Sequence, residues 1–226
     1  MISQLIRTIA LSGVCLLSLP VQASITVGGT RLIYNGNESE ASLPVSNSRN
    51  AVPYLIQSWV ELGENAKEKV PFIVTPPLFR LDGGHENTLR IIYTGEKTLP
   101  DNRESVFWLN VKSIPSMTRS DENRLLIAVK TRMKIFYRPV ALASEKSGEA
   151  WTKLKFETRG EHLVINNPTP FYVSLYSLTI GNKTIAQPPM ISPFSSATVA
   201  GSGTQVAWKA INDFGGVTTE KRQMLK

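Results

Sequence analysis

The stretch Leu125-Leu-Ile-Ala-Val-Lys-Thr-Arg-Met-Lys-Ile-Phe-Tyr-Arg-Pro139 decides how this chain reads. Leu125, Ile127 and Val129 recur at period two, the spacing of residues on one face of a β-strand. Lys130, Arg132, Lys134 and Arg138 hold the opposite parity. Such a strand offers a partner two things: a ladder edge with apolar knobs, and a socket for a carboxylate. The pattern points to a chain that binds another protein's strand, not one that turns over a substrate.

On both sides of this stretch the chain is a succession of strand signals. Ser24–Tyr34, Glu40–Asn47, Pro53–Glu61, Phe72–Thr75, Thr88–Tyr93 and Glu104–Ile114 precede it, punctuated by Asn35-Gly-Asn37, Asp82-Gly-Gly84, Leu99-Pro100 and Pro115. No segment keeps a helical period for three turns, so the fold class is all-β, of the sandwich kind. Composition changes after Tyr137-Arg-Pro139, where proline cannot extend a central strand. A second set follows at Leu154–Glu157, His162–Asn166, Tyr172–Ile180, Thr184–Ala186, Thr198–Val199, Val206–Ile211 and near Thr218. The expected division is a first domain over residues 24–141 and a second over 142–226.

Residues 1–23 read as a cleavable export signal. Met1–Arg7 carries one positive side chain, Thr8–Leu19 is apolar, and Pro20-Val-Gln-Ala23 puts a small residue at the cut. The single cysteine, Cys15, lies inside that signal, so the exported chain has neither a thiol nucleophile nor a thiolate metal site. Lysine and arginine number 25 against 18 acids, a net charge of +7. Without aromatic-basic repeats this excess favours solubility and acidic protein partners over nucleic acid. The two histidines, His85 and His162, stand far apart, and no Gly-x-Ser-x-Gly occurs. Gly201-Ser-Gly203 lacks the following helix of a phosphate cradle. No catalytic residue, cofactor or metal is expected.

Three further segments carry a resemblance. They are Leu99-Pro-Asp-Asn-Arg-Glu-Ser-Val-Phe-Trp-Leu-Asn-Val-Lys-Ser-Ile-Pro-Ser116, Lys134-Ile-Phe-Tyr-Arg-Pro139, and Asn167-Pro-Thr-Pro-Phe-Tyr172 with Ile211-Asn-Asp-Phe-Gly215. Together with Thr30-Arg-Leu-Ile-Tyr34 they resemble the periplasmic pilus-assembly chaperones of the chaperone–usher pathway, the PapD-like family, over essentially the whole exported chain. The resemblance implies two immunoglobulin-like β-sandwich domains joined at an angle around a cleft. It implies a periplasmic, non-enzymatic protein that caps pilus subunits by donor-strand complementation and delivers them to an outer-membrane usher.

Residue by residue, the resemblance implies that Arg31 and Lys134 anchor the C-terminal carboxylate of a subunit. It makes Leu125, Ile127 and Val129 the donor residues, and Glu104, Arg138 and Asp213 an interdomain ion-pair network that sets the cleft. The short connection Ser116–Arg124 and the absence of a disulfide resemble the short-loop branch of the family. Lys134 has the opposite parity to the donor residues, which predicts a bulge near Thr131–Met133 or strong twist. Three matters stay open on sequence alone. The aliphatic face could instead pack the chain's own core, the free protein could self-associate through its exposed edge, and the chain could be a secreted two-domain adhesive or structural sandwich without a client.

Overall fold

A computed structural model describes residues 24–63, 68–117 and 125–225. The expected export signal lies outside the described residues, as does most of the Ser116–Arg124 connection. The first domain packs two sheets face to face. One holds β1 (Ile25–Val27), β3 (Ala41–Asn47), β7 (Glu86–Tyr93) and β5 (Phe72–Thr75) in the order β1-β3-β7-β5. The other holds β2 (Arg31–Asn35), β9 (Val129–Arg138), β8 (Ser105–Pro115), β4 (Tyr54–Glu61) and β6 (Leu78–Leu81) in the order β2-β9-β8-β4-β6. Inward residues of both sheets, among them Val45, Ile56, Leu89, Ile91, Leu109 and Ile135, form one core.

The expected single strand Ser24–Tyr34 is two strands in different sheets. The break falls at Gly28-Gly29, and both glycines are required there. A Cβ on Gly28 would lie 2.6 Å from Pro44 Cγ, and Gly29 has φ 99°, a conformation that L side chains rarely adopt. The chain thus leaves β3's edge as β1 and joins β9 as β2, in parallel, with Arg31 opposite Lys134 and Asn35 opposite Arg138.

The expected strand Leu125–Tyr137 is also shorter than its pattern. β9 begins at Val129, and residues 125–128 belong to no ladder. No bulge occurs in it: the antiparallel register with β8 runs unbroken from Ser113↔Val129 to Ser105↔Tyr137. The parity difference between Val129 and Lys134 therefore persists as two faces of one regular strand. At the far end of β9 an aromatic cluster closes the domain, with Tyr137 4.9 Å from Tyr93 and 5.8 Å from Tyr34, and Phe72 4.8 Å from Phe107. Tyr34 Oη donates within hydrogen-bond range of the Ser39 carbonyl and accepts from Tyr93 N–H, so the ring's polar tip is satisfied at the edge of the core.

After Pro139 two short 3₁₀ helices, Val140–Leu142 and Ser147–Lys153, lead into the second domain. One sheet contains β10 (Lys155–Arg159), β11 (His162–Asn167) and β15 (Ser195–Ala200). The other contains β13 (Lys183–Thr184), β12 (Val173–Ile180), β16 (Gln205–Ala210) and β17 (Lys221–Met224), with β14 (Met190–Ile191) also pairing β12. A separate core forms between them around Leu163, Ile165, Leu178, Ile180 and Trp208. Phe156 lies 4.5 Å from Trp208, whose indole N–H donates to the Trp151 carbonyl.

The Asn167-Pro-Thr-Pro-Phe loop owes its shape to one buried amide. Asn167 Nδ2 lies within 2.7 Å of the Phe171 carbonyl and 3.0 Å of the Ser192 carbonyl, and its Oδ1 accepts from Thr169 N–H and Oγ1. Asn167→Ala strands several buried polar groups at once, each costing about 1–3 kcal/mol. A total loss of about 2–4 kcal/mol of unfolding free energy is expected, read from the denaturant midpoint at unchanged m-value.

Candidate functional site

The half of β9 nearest the domain junction has neighbours on both sides. The other half does not. β8 pairs residues 129–137, but β2 pairs only 134–138. Among the described residues, the second edge of β9 from Val129 to Met133 is therefore unpaired, and the preceding segment 125–128 is unpaired on both edges. The aliphatic residues along it are exposed to water: Leu125 86 %, Ile127 63 % and Val129 55 %. Further along the same strand, Met133 and Ile135 are buried in the domain's own core. Leu125, Ile127 and Val129 thus do not pack this chain's sandwich, which removes the own-core alternative.

The unpaired edge stops at two cations. Arg31 and Lys134 are register partners at the first residue of β2, on the outer face of the sheet. Both are half-buried. Arg31 Nη1 donates to the Ile211 carbonyl of the second domain at 3.2 Å, and its guanidinium lies 5.6 Å from the Phe136 ring centre. Its Nε is buried with no hydrogen-bond partner among the described residues. Lys134 Nζ lies 5.0 Å from the centre of Trp108, its cross-strand neighbour on β8. Trp108 is in turn sandwiched by Arg132, whose guanidinium sits 4.0 Å from the ring centre and 3.3 Å from Glu61.

Burial holds both cations below their ordinary pKa values. For Arg31 desolvation dominates, against the pull of Asp213 and Glu104. For Lys134 desolvation is largest, and the neighbouring charges of Arg31 and Arg132 add to it. Neither has a carboxylate within ion-pair distance among the described residues. Two half-buried cations side by side, with no directly paired carboxylate among the described residues, form a site whose charge balance improves when an anion enters.

Below this socket the domains are tied by ions. Arg138 Nη2 lies 2.8 Å from Glu104 Oε1 and 3.0 Å from Asp213 Oδ2, and Arg138 Nε lies 3.0 Å from Glu104 Oε1. Glu104 is only 3 % exposed, and its Oε2 accepts the Tyr172 N–H at 2.9 Å. Its own N–H donates to the Pro170 carbonyl. Burial pushes the Glu104 carboxyl up, against the opposing pull of Arg138 and the Tyr172 N–H. Asp213 also accepts from Ser147 Oγ at 2.9 Å. One acid and the arginine come from the first domain, and the second acid from the other. Phe136 and Tyr172 pack across the junction at 5.6 Å.

Several members of this constellation are not evident from motif reading. Trp108 is one; its even parity in Val106-Phe-Trp-Leu109, opposite to buried Phe107 and Leu109, marks it as outward-facing. The Ile211 carbonyl and the Tyr172 N–H are backbone groups, which side-chain patterns do not report.

The sign of the Lys134 effect can be tested in the free protein. An unfolded chain holds this proton up to the ordinary lysine range, whereas the folded one releases it earlier. Between those two values the unfolded state binds more protons, so stability rises with pH across that window, and below it the full penalty of a desolvated charge persists. Lys134→Met removes that penalty. The free variant is expected to melt above the wild type at neutral pH, with the difference shrinking toward high pH in scanning calorimetry.

The description "Pili and flagellar-assembly chaperone, PapD N-terminal domain" fits residues 24–143, and "Pili assembly chaperone PapD, C-terminal domain" fits residues 149–222. The chaperone protein FimC of Escherichia coli K12 is 40 % identical over 202 residues, covering 87 % of this chain and 83 % of its own. Chaperone protein LpfB of Salmonella typhimurium is 40 % identical over 199 residues, 84 % of each chain. A solved structure of the Salmonella enterica SafA pilin in complex with the SafB chaperone matches with a TM-score of 0.80 at 33 % identity, over 92 % of this chain and 99 % of that one. With both domains and nearly their full length matched, the chain belongs to the PapD family of pilus-assembly chaperones.

Proposed function

We propose that this chaperone caps a pilus subunit by lending it the segment 125–133, with Arg31 and Lys134 holding the subunit's C-terminal carboxylate. The carrying observation is that the unpaired edge of β9 ends at the Arg31–Lys134 pair. A partner strand on that edge lies collinear with β2. If its carboxylate meets Arg31 and Lys134, its C-terminus points toward residue 134, so it runs parallel to β9. The geometry of the socket thereby selects the direction of the client strand.

The two faces of β9 divide the work. Leu125, Ile127 and Val129 enter a groove of the client, each burial contributing about 1.5–3 kcal/mol before ordering costs are subtracted. Main-chain hydrogen bonds along the edge add affinity without regard to side chains. The carboxylate contributes charge-assisted bonds of about 1.5–3 kcal/mol each and sets register, because each chain has one C-terminus. Glu104, Arg138 and Asp213 fix the angle between the domains and so the width of the cleft around that terminus. The protein works in the periplasm after export and passes its client to an outer-membrane usher. The SafA–SafB complex, a pilin held by a chaperone, supports this reading over an adhesive sandwich without a client.

Co-expression with a pilin subunit from the same fimbrial gene cluster, followed by affinity recovery from the periplasm, tests these roles. Arg31→Ala and Lys134→Ala are each expected to cut recovered subunit at least about tenfold, the loss of one charge-assisted bond. Equal recovery by wild type and both variants would rule out the anchor. Ile127→Asp is expected to abolish recovery while the free protein keeps its melting temperature, since Ile127 touches no core of its own. A subunit extended by two glycines at its C-terminus, which moves the carboxylate out of register, is expected to be retained poorly by the wild type.

A further inference from the structure

Phe214 is 97 % exposed, more than any other large hydrophobic residue among those described. It does not sit on a loose tip. Asn212 Oδ1 accepts the N–H groups of Phe214 at 3.0 Å and Gly216 at 2.8 Å. The Asn212 N–H donates to the Gly216 carbonyl, and the Gly215 N–H to the Asn212 carbonyl. Gly215 has φ 83°, and a Cβ there would collide with Thr30 Oγ1. The turn is therefore braced internally and pressed against the residue that precedes β2.

Its flanks are equally committed. The Ile211 carbonyl accepts from Arg31, and Asp213 pairs with Arg138. The ring between them has no aromatic or cationic neighbour among the described residues. The other exposed aromatic rings differ: Phe194 is covered by Arg103 at 5.5 Å, and Tyr176 stands on a strand, β12, not on a turn. Single exposed apolar residues are ordinary on protein surfaces. A fully exposed ring on a hydrogen-bonded turn beside the Arg31–Lys134 pair is a different situation, because the backbone that carries it is already ordered before a partner arrives.

We infer that Phe214 is an apolar contact for the pilus subunit, packing against an aliphatic or aromatic side chain among the subunit's last residues. The inference rests on the proposed function. A client strand on the β9 edge ends where β2 begins, and Thr30, against which this turn packs, is the residue just before β2. A carboxylate is the same on every C-terminus, so Arg31 and Lys134 alone cannot tell one chain end from another. Phe214 supplies the side-chain discrimination that the cations lack.

The test uses the full-length chaperone and the co-expressed pilin subunit from the same gene cluster, with complex dissociation followed after dilution. Phe214→Ala is expected to weaken retention about ten- to a hundredfold, and Phe214→Leu much less. The melting temperature of free Phe214→Ala should equal that of the wild type. Replacing the apolar residues nearest the subunit's C-terminus by alanine should erase the difference between wild type and Phe214→Ala. If wild type retains subunit and Phe214→Ala retains it equally, the Phe214 contact is refuted while the capping function stands. If wild type retains no subunit, the capping function fails and this inference with it.

Discussion

The structure turns on a mismatch in length: β9 has ten residues and its parallel neighbour β2 has five. A strand edge with unpaired N–H and C=O groups is a standing invitation to other strands, and most proteins shorten, cover or charge such edges. Here the edge is left open from Val129 to Met133, beside the exposed aliphatic residues, and closed by β2 from Lys134 onward. The cation pair stands at the boundary between the two regimes. An open edge alone would accept any extended chain, so the cation pair at its end is where the structure first offers a means of selection.

The boundary also explains why the domains are tied so firmly. Arg31 belongs to the first domain but gives a hydrogen bond to the Ile211 carbonyl in the second. Two residues on, Asp213 meets Arg138, which also holds Glu104. Buried ion pairs add little stability relative to well-packed apolar residues, and their better-attested use is to enforce one arrangement over others. In the proposed anchoring role two cations at fixed separation meet one carboxylate, and such enforcement would keep them there. Half-burial disfavours the charged forms of Arg31 and Lys134, so in the proposed anchoring role a client's carboxylate would offset part of that cost.

Much of this was legible from residues, and the exceptions share a cause. Strands that bury one face, such as β3 and β8, announce themselves by alternation. β17 is exposed along its whole length and β14 has two residues, so neither carries a pattern. β6 was missed because it follows Pro76-Pro77 and buries only Leu81 fully. The Leu125–Val129 pattern is a strand signal in a segment whose first four residues are not in a strand. Its period two matches a sandwich that the chain does not contain, since these side chains have no core to face within their own domain. Of the two expected devices, bulge or twist, the bulge does not occur; Lys134 and the aliphatic residues stay on opposite faces of one strand, and the proposed capping role draws on both faces and the edge.

The Gly28-Gly29 break has a further consequence. The first strand of the domain changes sheets at that point, and the residue at which it lands on β9 determines how much of β9 is left uncovered. Moving the crossing two residues toward the N-terminus would lengthen β2 and cover Met133 and Arg132; moving it the other way would detach Arg31 from Lys134. Two residues with no side chains thus act as a ruler. They set how much of β9 is left unpaired and put the cation pair at its end, which, in the proposed capping role, couples the reach of the chaperone to the place where it grips.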